Sequence, residues 1–143
     1  MTSKTAPRGY PARILIVDDE RQNRQLLEVM LAQEGFHLRL AAGGEEALAM
    51  VADEAPDLIL LDVMMPGMDG YQVATRIKGD PATQHIHIIM LTALDDNNSR
   101  KHGLSTGAEG YLAKPVNRAE LTAGIRALLR LSPHGYRRDD STE

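Results

Sequence analysis

The sequence of 143 residues has no cysteine, which excludes disulfides, thiol catalysis and thiolate metal sites together. It also lacks a surplus of positive charge. Its 16 basic residues face 20 acidic ones, for a formal net charge of −4, so there is no basic footprint for direct contact with nucleic acid or an anionic membrane. No apolar run approaches the roughly 20 residues of a membrane-spanning helix. Met1 to Arg13 is polar and has none of the apolar core of a secretory leader. The first strand-like run is followed by Asp18-Asp19-Glu20, where a nucleotide or flavin carrier would place a glycine- or hydroxyl-rich phosphate loop. What remains is a cytoplasmic, soluble chain of ordinary composition, 43% hydrophobic and 25% charged. Its length suits one domain with a real core.

Residues 1–12, with Pro7, Gly9 and Pro11 and no periodicity, read as a flexible N-terminal segment. From residue 13 to residue 131, apolar strand runs alternate with helical patterns. Strands are expected at Arg13–Val17, Phe36–Ala42, Asp57–Leu61, Ile86–Leu91 and Glu109–Ala113. Helices are expected at Glu20–Glu34 (burying Leu27, Met30 and Leu31, and stopped by Gly35), Gly44–Glu54, Asp69–Lys78, Asp95–Ser105 and Asn117–Leu131. In the last helix Asn117 and Glu120 have capping-box spacing, and Leu121, Ile125, Leu128 and Leu129 recur with helical period. Residues 132–143 read as a flexible tail or the stub of a linker, too short for an output domain.

This is an α/β pattern, (βα)₅. Strands one, three and four are nearly continuous apolar runs, as expected for a parallel sheet covered on both faces. Strand two is mixed, with His37 and Arg39, and suits an edge. The expected fold is a flavodoxin-like doubly wound sandwich with a parallel five-stranded sheet of order 2-1-3-4-5, its switch point between strands one and three.

Polar groups stand at the ends of four of these strands: Asp18-Asp19, Asp62, Thr92 and Lys114-Pro115. In a parallel sheet the strand ends open on one edge, so they assemble as a site. Adjacent strands lie about 4.8 Å apart, so the carboxylates would repel unless one took a raised pKa or a cation joined them. Oxygen-rich sites of this kind suit Mg²⁺. Lys114 and Thr92 could hold a phosphoryl oxygen, and a carboxylate in such a place is a competent phosphoryl acceptor. Each group also has a plainer reading by itself. Asp19 could cap the first helix with Gln22 at its third position, Asp62 could serve the Met64-Met65-Pro66-Gly67 turn, and Lys114 could be a surface lysine. Their joint occurrence, in order and each at a strand end, favours the site.

The segments Ile14-Leu15-Ile16-Val17-Asp18-Asp19, Leu61-Asp62-Val63-Met64-Met65-Pro66-Gly67-Met68-Asp69-Gly70, Met90-Leu91-Thr92-Ala93, Gly107-Ala108-Glu109-Gly110-Tyr111 and Ala113-Lys114-Pro115 closely resemble the receiver domain of bacterial two-component response regulators. The resemblance covers residues 13–131. It implies that Asp62 is the phosphoacceptor, charged by a sensor histidine kinase or a histidine phosphotransfer protein. It implies Mg²⁺, with Mn²⁺ as a substitute, on Asp19, on Asp18 directly or through water, on Asp62, and on the main-chain carbonyl of Met64. Thr92 and Lys114 would contact the phosphoryl group, and the Lys114–Pro115 bond would be cis. Thr92 and Tyr111 would act as the switch, changing the surface of helix four, strand five and helix five toward a downstream target or a fused output domain. Tyr111 could equally be no more than a packed, half-buried aromatic. Homodimerisation through the same face is compatible with this reading. The chain would be no enzyme beyond its own phosphotransfer and autodephosphorylation. Met64 and Leu94, two residues after Asp62 and Thr92, would tune phosphate lifetime. Both are apolar and unable to orient water, so slow decay is expected.

Two further readings stand beside this one. The chain could be a receiver module excised from a hybrid kinase or an output-domain regulator. An aspartyl-phosphate hydrolase would need a second acid at position 64, where Met64 stands. His85 and His87 have strand spacing but lack a third ligand, and are expected to face solvent at a strand start. Met64, Met65 and Met68 read as loop packing, Asp95-Asp96 as the opening of helix four, and Asp139-Asp140 as tail charge.

Overall fold

Five parallel strands make one sheet in the order β2-β1-β3-β4-β5. They are β1 (Arg13–Val17), β2 (His37–Ala41), β3 (Leu58–Asp62), β4 (His87–Thr92) and β5 (Gly110–Ala113), alternating with α1 (Arg21–Leu31), α2 (Gly44–Asp53), α3 (Gly70–Lys78), α4 (Asn97–Ser105) and α5 (Arg118–Leu129). The computed structural model describes residues 11–94 and 96–131. Most of the expected N-terminal segment (residues 1–10), Asp95 and the whole of the expected tail (residues 132–143, with Asp139-Asp140) lie outside the described residues. Among the described residues no helix is long and apolar enough to cross a membrane.

The alternation of each strand sorts its side chains onto two cores. Leu15, Val17, Ile59, Leu61, Ile88 and Met90 pack with Val51, Val73 and Ile77 from α2 and α3. Ile14, Ile16, Leu58, Leu60, Ile89 and Leu91 pack with Leu27 and Leu31 of α1 and with Leu121, Ile125 and Leu129 of α5. Each fully buried aliphatic side chain contributes about 1.5–3 kcal/mol, and this two-sided burial sets the strand register. Every residue of β3 and β4 is buried, whereas edge strand β2 is mostly half-exposed.

Local signals fix the ends of the elements. Gly35 adopts φ 86° after α1, a left-handed conformation that glycine takes without a steric cost. Helix α1 ends at Leu31, three residues before the expected Glu34. Its N-cap is Glu20, with no side-chain cap bond, so Asp19 does not cap it. Asp69 caps α3 in a complete capping box with Gln72, Asp96 accepts from Ser99 N at the start of α4, and Asn117 accepts from Glu120 N at the start of α5. Strands β3 and β4 run one residue further than expected, because Asp62 still pairs with Leu91.

The edge of the sheet away from the strand C-termini corrects the expectation for His87. It is buried, with 8% of its surface exposed, because it lies under a corner built on Lys78 and Glu109. Lys78 Nζ donates to Gln84 O at 3.0 Å, Ile86 O at 2.6 Å and Glu109 Oε2 at 2.8 Å. Glu109 Oε1 accepts from Ile88 N at 2.9 Å, and His87 Nδ1 lies 3.3 Å from Glu109 Oε2. Burial alone would raise the Glu109 carboxyl, but the hydrogen bonds from His87 and Lys78 prevail and hold it at about 2. A carboxyl with a depressed folded pKa contributes stability above its unfolded value, and that contribution is lost as pH falls toward 2. Glu109→Gln should therefore cost roughly 1–2 kcal/mol at pH 7, and the gap to the unaltered protein should close between pH 4.5 and 2. Urea unfolding across that range checks this, and a gap that stayed constant would contradict it.

Candidate functional site

The C-terminal ends of β1, β3, β4 and β5 gather the expected residues at one edge. Asp18 and Asp62 are almost wholly buried, at 1% and 5% exposure, while Asp19 is exposed. Carboxylate oxygens of Asp18, Asp19 and Asp62 all lie within 4.8 Å of one another. The Lys114 ammonium stands between two of them, donating to Asp18 Oδ2 at 3.1 Å and Asp62 Oδ1 at 3.2 Å. The backbone explains this meeting. Asp18, Asp62 and Lys114 share the strand parity of the side chains that face α1 and α5, so period-2 alternation turns all three to one side. The Lys114–Pro115 peptide bond is cis, and Lys114 N is fixed to Thr92 O at 2.8 Å.

Burial pushes the Asp62 carboxyl up to about 6, with the Asp18 charge adding to it and the Lys114 ammonium opposing it. Burial would lower Lys114, but the Asp62 and Asp18 carboxylates raise it, so the lysine stays charged. The site holds three acids against one ammonium, an excess of negative charge on hard oxygen donors. That donor set fits a divalent cation of the Mg²⁺ type.

Residues that the sequence reading passed over support Asp18. Glu20 N donates to Asp18 Oδ1 at 2.9 Å, Asn23 Nδ2 approaches the same oxygen at 3.5 Å, and Arg24 Nη1 donates to Asp18 O at 2.7 Å. The signal for them was their position in the first turns after the acidic pair. Gly70, the first residue of α3, was also passed over. A Cβ there would strike Asp62 O and lie 2.8 Å from Val63 Cα, so the helix rests directly on the backbone of Asp62.

Thr92 is fully buried and belongs to the opposite parity, on the side of Tyr111. Its Oγ1 accepts from Leu94 N at 3.0 Å. The Tyr111 hydroxyl donates to Leu94 O at 2.6 Å, so the Leu94 backbone joins the two. Tyr111 is buried, at 5% exposure. Met65 is buried and Met68 packs against the core, but the Met64 side chain is 59% exposed, so it is not part of the loop packing expected of the three methionines.

Beside the acids a groove of about 470 Å³ runs between α1 and the segment after β5, lined by Asn23, Leu26, Met30, Pro115 and Val116 among others. Leu26, which lines it, is a large apolar side chain left exposed, as is Val29 on the same helix.

Residues 14–126 match the family model described as "Response regulator receiver domain". The response regulator PleD of Caulobacter vibrioides is 49% identical over 119 residues, which cover 83% of this chain and 26% of PleD. The phosphate regulon transcriptional regulatory protein PhoB of Pseudomonas aeruginosa is 43% identical over 122 residues, 85% of this chain and 53% of PhoB. The chain thus spans about a quarter to a half of the length of these relatives. Among solved structures, a putative response regulator from Chloroflexus aurantiacus superposes with a TM-score of 0.81 at 39% identity, covering 84% of this chain and 98% of that one. The signal receiver domain of a histidine kinase from Syntrophus aciditrophicus does so at 0.80 and 31% identity, covering 92% and 98%.

Proposed function

From the premise that this chain belongs to the response regulator receiver family, we propose that it accepts a phosphoryl group on Asp62 from a histidine kinase or a phosphotransfer histidine. The observation that carries this reading is a single ammonium, Lys114, spanning the carboxylates of Asp18 and Asp62. An arriving phosphoryl group meets that ammonium in place, and Lys114 neutralises a phosphoryl oxygen while Asp62 Oδ attacks phosphorus in line. The P–N bond to the donor histidine breaks in the same step, its electron pair returning to the imidazole nitrogen. Asp18, Asp19, Asp62 and the Met64 carbonyl are the groups that would hold Mg²⁺ or Mn²⁺. Bound there, the metal offsets the charge that builds on the phosphoryl oxygens. Asp18 is preset for this by Glu20 N and Asn23, which hold its Oδ1. The Thr92 hydroxyl, buried at the same edge, accepts from Leu94 N, and a hydroxyl that accepts one bond can still donate its proton to a phosphoryl oxygen.

The exposed Leu26, which lines the same groove as Asp18 and Lys114, suits docking of the phosphodonor protein. Thr92, Leu94 and Tyr111 transmit the modification to the face formed by α4, β5 and α5. The greater length of the relatives favours a target that is either a separate protein or a fused output domain. An aspartyl-phosphate hydrolase is disfavoured because position 64, where its second acid would stand, holds Met64 turned to solvent.

Incubation with acetyl phosphate and Mg²⁺ tests the proposal. One acyl phosphate per chain should form, read as a mass increase, and Asp62→Asn should abolish it. No adduct in the unaltered protein would refute the reading, and steady turnover of the donor would indicate the hydrolase. In the same assay Met64→Asn, which can orient water, should shorten the lifetime of the adduct roughly tenfold or more.

A further inference from the structure

Helix α4 has little apolar anchorage. Its sequence is Asn-Asn-Ser-Arg-Lys-His-Gly-Leu-Ser, and Gly103 is its one buried residue, while Leu104 is 42% exposed. Hydrophobic packing contributes in proportion to the apolar area covered, so polar and ring contacts decide where such a helix sits. The contacts at hand converge on two tyrosines. From α3, the Tyr71 ring lies flat on the His102 imidazole, with centroids 3.9 Å apart and planes at 10°. The Tyr71 hydroxyl donates to Ser99 O at 3.3 Å, one turn earlier on the same helix. From β5, the Tyr111 ring fits beneath Gly103, where a Cβ would come within 2.7 Å of it, and Arg100 lies over that ring at 5.0 Å. The phenol of Tyr111 has its pKa raised by burial and then by the neighbouring Tyr71 hydroxyl.

The geometry points to a latch: the Tyr71–His102 stack holds α4 over Tyr111 and keeps the Thr92–Leu94–Tyr111 chain assembled before any phosphoryl group arrives. The inference rests on the reading of Asp62 as the phosphoacceptor. Both ends of the latch are tied to that residue. Gly70, directly before Tyr71, rests on the Asp62 carbonyl, and the Tyr111 hydroxyl reaches the strand end through Leu94 and Thr92. The stack therefore closes a loop that runs from the phosphoacceptor through α3 to α4, and back through Tyr111 and Thr92. Tyr71 and His102 are positioning residues. Neither touches the reacting atoms. Breaking the stack releases α4, lets Tyr111 leave its place under Gly103, and makes the site slower to phosphorylate because the arrangement must then be formed during the reaction.

The test uses the full chain and four variants: His102→Ala, Tyr71→Leu, both together, and His102→Phe. An exposed aromatic stack has a modest energy, so amides of Asn97–Ser105 should exchange with solvent roughly three- to tenfold faster in His102→Ala. Amides of β1 and α5 should be unchanged, and the Tyr111 ring signals in NMR should move toward those of an exposed tyrosine. Acyl phosphate formation from acetyl phosphate should slow roughly two- to fivefold in either single variant, with Mg²⁺ affinity unaltered. The double variant should add less than the product of the single effects, because the stack is already lost. His102→Phe, which keeps a ring, should restore both the exchange and the rate. Unchanged α4 exchange with Tyr111 in place, independent single effects, or failure of His102→Phe to rescue would each overturn the latch. Absence of any adduct in the unaltered protein would instead overturn the phosphoacceptor reading, and the exchange and Tyr111 signals would still judge the latch.

Discussion

Asp62→Asn is expected to melt roughly 5 °C or more above the unaltered protein in metal-free buffer at pH 7.5, although it destroys the proposed function. The reason lies in the charge balance of the edge. Asp62 is held at about 6 instead of its ordinary 3.8, chiefly by burial and then by Asp18. A carboxyl whose folded pKa is raised binds its proton more tightly in the native state. The native state is therefore favoured below that range and loses on the order of 2–3 kcal/mol as pH rises from about 4 through 6. Asparagine keeps an oxygen for the Lys114 ammonium and offers an amide to Asp18 without carrying charge, so the loss disappears. The advantage should shrink as pH falls below 6 and be gone near pH 4, where Asp62 is itself neutral. Added Mg²⁺ should raise the melting temperature of the unaltered protein and narrow the difference, because the cation relieves the same repulsion. Thermal melts at pH 4, 6 and 7.5, with and without EDTA, read all of this. A variant no more stable than the parent at pH 7.5, or an advantage independent of pH, would show that the carboxylates are not in conflict.

Gly70→Ala is expected to be among the most damaging single-methyl additions in the described residues. The new Cβ would meet the carbonyl oxygen of Asp62 and lie 2.8 Å from Val63 Cα and 3.0 Å from Asp62 C. All three are backbone atoms at the end of a central strand and cannot rotate away as a side chain would. Relief requires α3 to lift from β3, which opens the packing of Val73, Ala74 and Ile77, all buried at 2% exposure or less. A loss of about 3 kcal/mol or more follows, measurable by urea denaturation. Gly43→Ala is the control: a Cβ there meets nothing within 4 Å, its φ is an ordinary extended −172°, and only the N-cap preference for glycine over alanine is lost, about 1 kcal/mol or less. Similar losses in the two variants would remove the argument from steric approach.

The sheet order was legible because its causes are local: apolar runs on β1, β3 and β4, a mixed β2, and polar residues at strand ends. The meeting of Asp18, Asp62 and Lys114 was legible for the same reason, since strand parity fixes which side each faces. Helix ends were read one to three residues long, because apolar periodicity does not show where the backbone stops bonding to itself. The capping box of Asp69 and Gln72 is present in the sequence and marks one such end. His87 was misread because its burial comes from Lys78 and Glu109, 9 residues before and 22 after it, partners that no local pattern joins. The stacking of Tyr71 on His102 was hidden similarly, since it depends on how separate helices pack, whereas the support of Asp18 by Asn23 and Arg24 is local, five and six residues on.

The Leu94 backbone accepts from Tyr111 with its carbonyl and donates to Thr92 with its amide, and its side chain takes no part in either bond. A relay made of main-chain atoms survives any replacement of the side chain that preserves the local fold. Under the proposed phosphoacceptor role of Asp62, a polar side chain at position 94 would change the decay of the adduct while the main-chain connection to Tyr111 stays intact. On that proposal, how long a signal is remembered and how faithfully it is reported would be separately adjustable, carried by different atoms of the same residue.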